Sequence, residues 1–205
     1  MELRLVVLVL ASYLIGSIPT AIWFCRIGFK MDITKVGSGN PGMTNVWRTL
    51  GWKPALPVAI IDAAKGVAAA ALGAHFGGSI NLALTAGVMA VLGHSFSFWV
   101  RFKGGKSVLT GFGMFLFLSP IAALTCFATW ILVMYKTRIV SISSITSAIL
   151  IAPLVYLEAR FQSHQDRFAV VVLAFLVGLF VVIRHRSNIG RLLMGTEPRF
   201  GRSNP

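Results

Sequence analysis

The polar residues of this chain are gathered into short islands between long apolar stretches. The stretches cover roughly residues 3–25, 54–73, 80–99, 107–119, 120–135, 139–158 and 167–185. A helix crossing the hydrocarbon core needs about 20 apolar residues, fewer where polar contacts inside a bundle let it run short, so seven spans are expected. The fourth and fifth stretches form one apolar run, Val108 to Tyr135, too long for a single straight span. Ser119-Pro120 divides it, because proline lacks the N–H that a helix interior needs. Two short helices joined by a tight turn are expected there; one long kinked helix would leave six spans.

The basic residues choose between the two counts, since Lys and Arg collect on the cytoplasmic side of a membrane protein. With seven spans, one side carries Arg26, Lys30, Lys35, Arg48, Lys53, Arg101, Lys103, Lys106, Lys136, Arg138, Arg184, Arg186, Arg191, Arg199 and Arg202, which is 15 of the 19. The other side keeps Arg4, Arg160 and Arg167, and Lys65 lies inside a span. Six spans would set the last polar island opposite the first two and split the charge. The expectation is an all-α integral membrane protein, a bundle of seven transmembrane helices in one domain over residues 1–205. Its N-terminus is outside and its C-terminus is cytoplasmic. The run from Leu5 to Ile15 begins like a signal peptide, but it continues past Pro19 to Cys25 without a small-x-small cleavage site and reads as a retained helix.

Composition agrees. Hydrophobic residues make up 56% and charged residues 12%, with a mean hydropathy of +0.80, outside the range of soluble domains. A net charge of +13 would suit nucleic acid. The cations sit at the ends of apolar stretches, however, and form neither a run nor a basic helix face, so topology and an anionic substrate account for them better. Cys25 and Cys126 both fall in apolar stretches, and neither a disulfide framework nor a metal spacing is present.

Three islands carry the candidate chemistry: GSGNPGMTNVWR (Gly37 to Arg48), GHSFSFWVRFKGGK (Gly93 to Lys106) and RHRSNIGRLLMGTE (Arg184 to Glu197). In the first, Gly37, Gly39 and Gly42 let the backbone turn sharply toward a ligand. Ser38, Asn40, Thr44 and Asn45 add small polar groups, and Arg48 a planar fork suited to phosphate oxygens. In the second, Lys103-Gly104-Gly105-Lys106 allows close backbone approach between two cations, ahead of a helix N-terminus; the Walker spacing is absent, so nucleotide binding does not follow. The third adds His185, Arg186, Asn188 and Arg191. Each island alone reads equally as an interfacial anchor; three on one face favour a phosphate site.

Four further residues need weighing. His94, beside Phe96, Phe98 and Trp99, suits a structural or interfacial role. His185, between Arg184 and Arg186, is favoured as a neutral ring and as a functional group. Asp62 and Lys65 are spaced i,i+3 inside a span and read as a mutual ion pair, with support of the island cations as the other reading. Glu197, among C-terminal arginines, reads as an organiser of its segment.

In this order and spacing the islands resemble the three signature motifs of the bacterial membrane acyl-phosphate:glycerol-3-phosphate acyltransferases, the PlsY family. The first motif, GSGN-x-GATN-x-x-R, is matched with Met43 in place of alanine; the second, GH-x-FP-x-x-x-x-FKGGK, with Ser97 in place of proline; the third, HR-x-NI-x-RL-x-x-GTE, throughout. Asp62–Gly66 and the stretch around Ser141 also look like the family's. The resemblance implies transfer of a fatty acyl group from acyl phosphate to the 1-hydroxyl of sn-glycerol 3-phosphate, giving lysophosphatidate and inorganic phosphate. It implies a seven-helix protein of the bacterial plasma membrane whose site faces the cytoplasm, served by an upstream enzyme that supplies acyl phosphate. No cofactor or metal is implied, since the donor is already activated, and no nucleic acid. Ser38, Arg48, His185 and Asn188 are implied at the reacting centre. Gly39, Asn40, Thr44, Asn45, Lys103, Gly104, Gly105, Lys106 and Ser141 are implied in substrate binding. The competing class is a membrane transporter or exchanger of an organic phosphate, which would use the same cations and glycines but usually shows internal repeats.

Overall fold

In a computed structural model of the chain, which describes residues 2–161 and 167–200, the regular elements are helices and no strand occurs among the described residues. Two compact units are formed, residues 1–118 and residues 119–205. The first contains α1 (Glu2–Ser17), α2 (Thr20–Phe29), α3 (Met43–Leu50), α4 (Trp52–Gly77), α5 (Ile80–Ser95) and α6 (Val108–Leu118). The second contains α7 (Pro120–Thr137), α8 (Val140–Phe161), α9 (Arg167–Arg184) and α10 (Arg186–Leu193).

Four helical segments are each long and apolar enough to cross a membrane: Trp52–Phe76, Ile80–Val100, Pro120–Thr137 and Val140–Phe161. Two bent pairs, α1 with α2 at 43° and α9 with α10 at 57°, raise the number to six if each pair is one span. The break at Ser119-Pro120 is where proline chemistry put it, with α6 ending at Leu118 and α7 starting at Pro120. At 11 residues, α6 rises only about 16 Å, half of a ~30 Å hydrocarbon core.

The first stretch, expected to be unbroken over 3–25, divides at Ile18-Pro19, where proline cannot donate into the preceding turn. A break in lipid exposes carbonyls that no water can satisfy. Side chains from elsewhere in the unit cover them: Lys65 of α4 donates to Ile18 O at 2.9 Å, and the hydroxyl of Ser97, just past the end of α5, donates to Ser17 O. Ser97 stands where the family pattern has proline, and its hydroxyl makes a bond that proline could not. In the second unit the buried carboxylate of Glu158 does the corresponding work. It accepts from the Ser119 hydroxyl and the Ala122 amide, both at 2.8 Å, at the N-terminus of α7, where a negative charge is favoured.

Helices of the first unit approach through glycine, as helices do when lipid offers no hydrophobic drive to associate. Side chains at Gly66 and Gly113 would overlap the Thr110 and Ala63 carbonyl oxygens across the α4–α6 contact. Side chains at Gly16 and Gly93 would overlap the Ala90 and Tyr13 carbonyls across α1–α5. Overpacking such a contact costs about 1–3 kcal/mol. Gly113→Ala should therefore lower the unfolding midpoint in detergent. Gly190→Ala, where an added methyl meets nothing within 4 Å, should leave the midpoint unchanged or raise it.

Candidate functional site

The first island is a loop wound around one side chain. Asp32 opens it by accepting from the Thr34 hydroxyl at 2.6 Å and amide at 3.1 Å while pairing with Arg26 at 2.9 Å. These contacts, the Thr34 hydroxyl foremost, hold its carboxyl down at about 2. Gly37 and Gly39 then take left-handed backbone, φ +59° and +68°, which costs glycine little. The turn brings the loop backbone onto buried Asn45 of α3. Asn45 Nδ2 donates to Ile33 O at 2.9 Å and Val36 O at 3.0 Å, and its Oδ1 accepts from Ser38 N at 2.9 Å. Both amide hydrogens of Asn45 are thus committed to the loop, and a side chain at Gly37 would collide with its oxygen. Asn45 shapes the site. Ser38 is exposed, Gly39 and Asn40 are half-buried beside it, and Thr44 and Arg48 lie one turn apart on a shared face of α3.

The second island folds back over the end of α5. Gly104 N donates to Ser95 O and Gly105 N to His94 O, both at 3.0 Å, so the two glycine amides satisfy carbonyls that the helix terminus leaves over. The glycines are required from behind: a side chain at Gly104 would overlap the His94 carbonyl, and one at Gly105 the His94 ring. Buried hydroxyls complete the seat. Ser95 Oγ donates to Gly105 O at 3.1 Å, Ser107 Oγ donates to Val91 O at 2.6 Å, and the two hydroxyls are 2.7 Å apart. Arg101, Phe102 and Ser107 take left-handed backbone without being glycine, strain that concentrates at functional loops. Lys103 is exposed and Lys106 half-buried. Val100 of this island, Met43 and Trp47 of the first, and Val36 just before it pack on one apolar cluster that includes Ile22, Ile33 and Val46, which gives the two islands a common base.

The third island and Ser141 belong to the second unit, where Glu197 gathers them. Its Oε1 accepts from Ser141 Oγ at 2.8 Å and Asn188 Nδ2 at 2.7 Å, and its Oε2 from Arg191 Nε at 2.7 Å. Burial raises its pKa, but the bonds from Asn188, Ser141 and Arg191 and the Arg191 charge outweigh this and leave it below the ordinary glutamate value. Buried His185 sits at the α9–α10 junction with Nδ1 2.8 Å from Val181 O. A carbonyl only accepts, so Nδ1 carries a hydrogen, and in the neutral tautomer this leaves the lone pair on Nε2.

The model of the family described as glycerol-3-phosphate acyltransferase matches residues 6–195. The chain belongs to this family. It is 46% identical over 201 residues to glycerol-3-phosphate acyltransferase 1 of Deinococcus radiodurans, with 98% of each chain covered. It is 45% identical over 193 residues to the glycerol-3-phosphate acyltransferase of a Synechococcus strain, covering 94% of this chain and 93% of that one. Among solved structures it resembles PlsY, an integral membrane glycerol 3-phosphate acyltransferase, in its glycerol 3-phosphate form. The TM-score is 0.87 at 35% identity, with 96% of both chains covered. The lysophosphatidic acid form of PlsY gives 0.85 at the same identity. Family membership and the apolar helices make this a multi-pass integral membrane protein.

In this family member the sequence located the three motifs but missed two architectural facts. Asn45 turns inward to its own loop, and Ser141, 56 residues before Glu197, joins the third island through it. No local pattern signals a contact at that separation. A depressed pKa means Glu197 stabilises the fold fully above the ordinary glutamate range and loses that contribution as pH falls through its folded value. Glu197→Gln should destabilise the protein in detergent at neutral pH. The difference in unfolding midpoint from wild type should shrink as the pH is lowered through that value.

Proposed function

We propose that this protein transfers a fatty acyl group from acyl phosphate to the 1-hydroxyl of sn-glycerol 3-phosphate at the cytoplasmic face of the bacterial plasma membrane. The hydroxyl oxygen bonds to the acyl carbon, the carbon–oxygen bond to phosphate breaks, and the products are 1-acyl-sn-glycerol 3-phosphate and inorganic phosphate. The observation that carries the reading is family membership over nearly the whole chain, with Ser38, Arg48, His185 and Asn188 all in the matching motifs. An organic-phosphate carrier has no comparable support.

Acyl phosphate is a mixed anhydride, so phosphate leaves without a metal or cofactor. The protein's task is to hold two anions, orient the hydroxyl and stabilise the oxyanion. Ser38, on a loop fixed by Asn45, and Arg48 of α3 are assigned to the reacting centre. His185, with Nε2 as acceptor, orients the 1-hydroxyl, whose proton leaves with the phosphate; Asn188 is aimed by Glu197. Lys103 and Lys106, with the first turn of α6, take the phosphate of glycerol 3-phosphate, and Ser141, Gly39, Asn40 and Thr44 line the substrates. An upstream enzyme must supply the acyl phosphate. For the membrane, α6 counts as a short seventh inserted helix, which keeps the polar islands on one side. The exposed aromatics Trp23, Phe98, Trp99 and Phe102, packed edge to face, suit the lipid–water interface.

Kinetics separate the roles. Gly104→Ala pushes the loop off the His94 carbonyl and should chiefly raise KM for glycerol 3-phosphate. Ser38→Ala and Arg48→Ala should lower kcat by at least ~10-fold, because a hydrogen bond to a charged group contributes about 1.5–3 kcal/mol. Near-normal kcat in both would reduce the first island to a helix anchor. Topology is tested with an impermeant thiol reagent on intact cells, against the low background of buried Cys25 and Cys126. A cysteine replacing exposed His75 should label, and one replacing exposed Lys136 should label only after permeabilisation. Equal labelling would remove the seven-span arrangement.

A further inference from the structure

The first unit contains a charged cluster that the reaction outlined above does not use. Lys65, 4% exposed at its side chain, lies with its Nζ 2.7 Å from Asp62 Oδ1, 2.9 Å from Ile18 O, 3.2 Å from Thr20 Oγ1 and 3.3 Å from His94 Nδ1. A Lys–Asp pair inside a membrane span is costly if it only neutralises itself. Here the ammonium spreads its three hydrogens over a helix break and one imidazole.

The imidazole links this cluster to the second island. An ammonium has hydrogens to give and no lone pair, so His94 Nδ1 must accept from Lys65. The other arrangement, Nδ1–H donating to Asp62 Oδ1, would span 3.7 Å, beyond hydrogen-bond length. With Nδ1 as acceptor, the ring carries its hydrogen on Nε2, and Nε2 is the ring atom nearest to where a Gly105 side chain would stand. The His94 carbonyl meanwhile accepts from Gly105 N at 3.0 Å. One residue therefore supports the Lys103–Lys106 loop through both its backbone and its ring, and the ring is set by a buried ion pair.

We propose that Asp62, Lys65 and His94 form a positioning relay, in which the ion pair fixes the His94 tautomer so that Nε2–H faces the Lys103–Lys106 loop and keeps it in its phosphate-accepting shape. The proposal deepens the functional reading given above and rests on that loop being the phosphate cradle. His94 alone of the three touches the loop, Asp62 and Lys65 act through it, and none is assigned to the reacting carbon, so their signature is affinity for glycerol 3-phosphate and not the rate at saturation.

The test uses purified full-length protein in detergent, with initial rates measured against glycerol 3-phosphate at saturating acyl phosphate. His94→Phe keeps the bulk behind Gly105 and removes both nitrogens, while His94→Gln can return an N–H near the Nε2 position. His94→Phe should raise KM for glycerol 3-phosphate about 10-fold or more with kcat within about 3-fold, and His94→Gln should recover most of that KM, as loss and return of one polar contact predict. Nitrogen NMR of histidine-labelled wild type, assigned by the resonances missing from His94→Gln, should show His94 as the Nε2–H tautomer. An Nδ1–H or doubly protonated ring would overturn the relay. So would a fall in kcat at unchanged KM in His94→Phe, or a glutamine variant no better than phenylalanine. Gly104→Ala distinguishes the two levels. If it raises KM while His94→Phe does not, the relay alone falls; if neither raises KM, the loop is not the phosphate cradle and the assignment beneath the relay falls with it.

Discussion

Lys65 is the contact on which the first unit depends. Its ammonium joins the broken α1–α2 segment, its own helix α4 and the C-terminal turn of α5. The constraint behind it is general: in hydrocarbon a carbonyl at a helix break cannot turn to water, and a donor must be brought to it. A lysine suffices because its three hydrogens can serve several acceptors at once, and Asp62 lies 2.7 Å from it. Losing one member of such a buried pair generally costs about 3–5 kcal/mol, more than the pair contributes net, so the cluster specifies this arrangement more than it strengthens it.

The islands show the same economy in reverse. Several polar groups of the islands are hydrogen-bonded within their own unit. Asn45 gives both amide hydrogens to Ile33 and Val36, and the Gly104 and Gly105 amides go to α5. Glu197 takes up Ser141, Asn188 and Arg191. The exposed or half-buried Ser38, Arg48, Lys103 and Lys106 are presented by that framework. A loop with its own hydrogen bonds satisfied can carry cations such as Lys103 and Lys106 without collapsing onto them.

Glycine serves two separate physical ends in this chain. At Gly37 and Gly39 it supplies backbone angles, φ +59° and +68°. At Gly66, Gly113, Gly16 and Gly93 it supplies absence, letting a neighbouring helix's carbonyl oxygen occupy the place of a side chain. The KGGK glycines belong with the second group, and the left-handed residues there are Arg101 and Phe102 of the island and Ser107 just after it.

The sequence by itself determined the helical class, the membrane setting, the break at Ser119-Pro120, the Asp62–Lys65 pair and the family. These follow from local quantities: apolar length, the missing proline N–H, i,i+3 spacing and contiguous motifs. It could not determine which way a polar side chain turns. Residue type and spacing say that Asn45 can donate and accept, but only the fold sets Ile33 and Val36 within its reach. Lys65 meeting Ile18, and Ser141 meeting Glu197, are contacts across 47 and 56 residues. The fate of a hydrogen bond at that range is decided by which backbones tertiary packing brings together, and no local pattern records it.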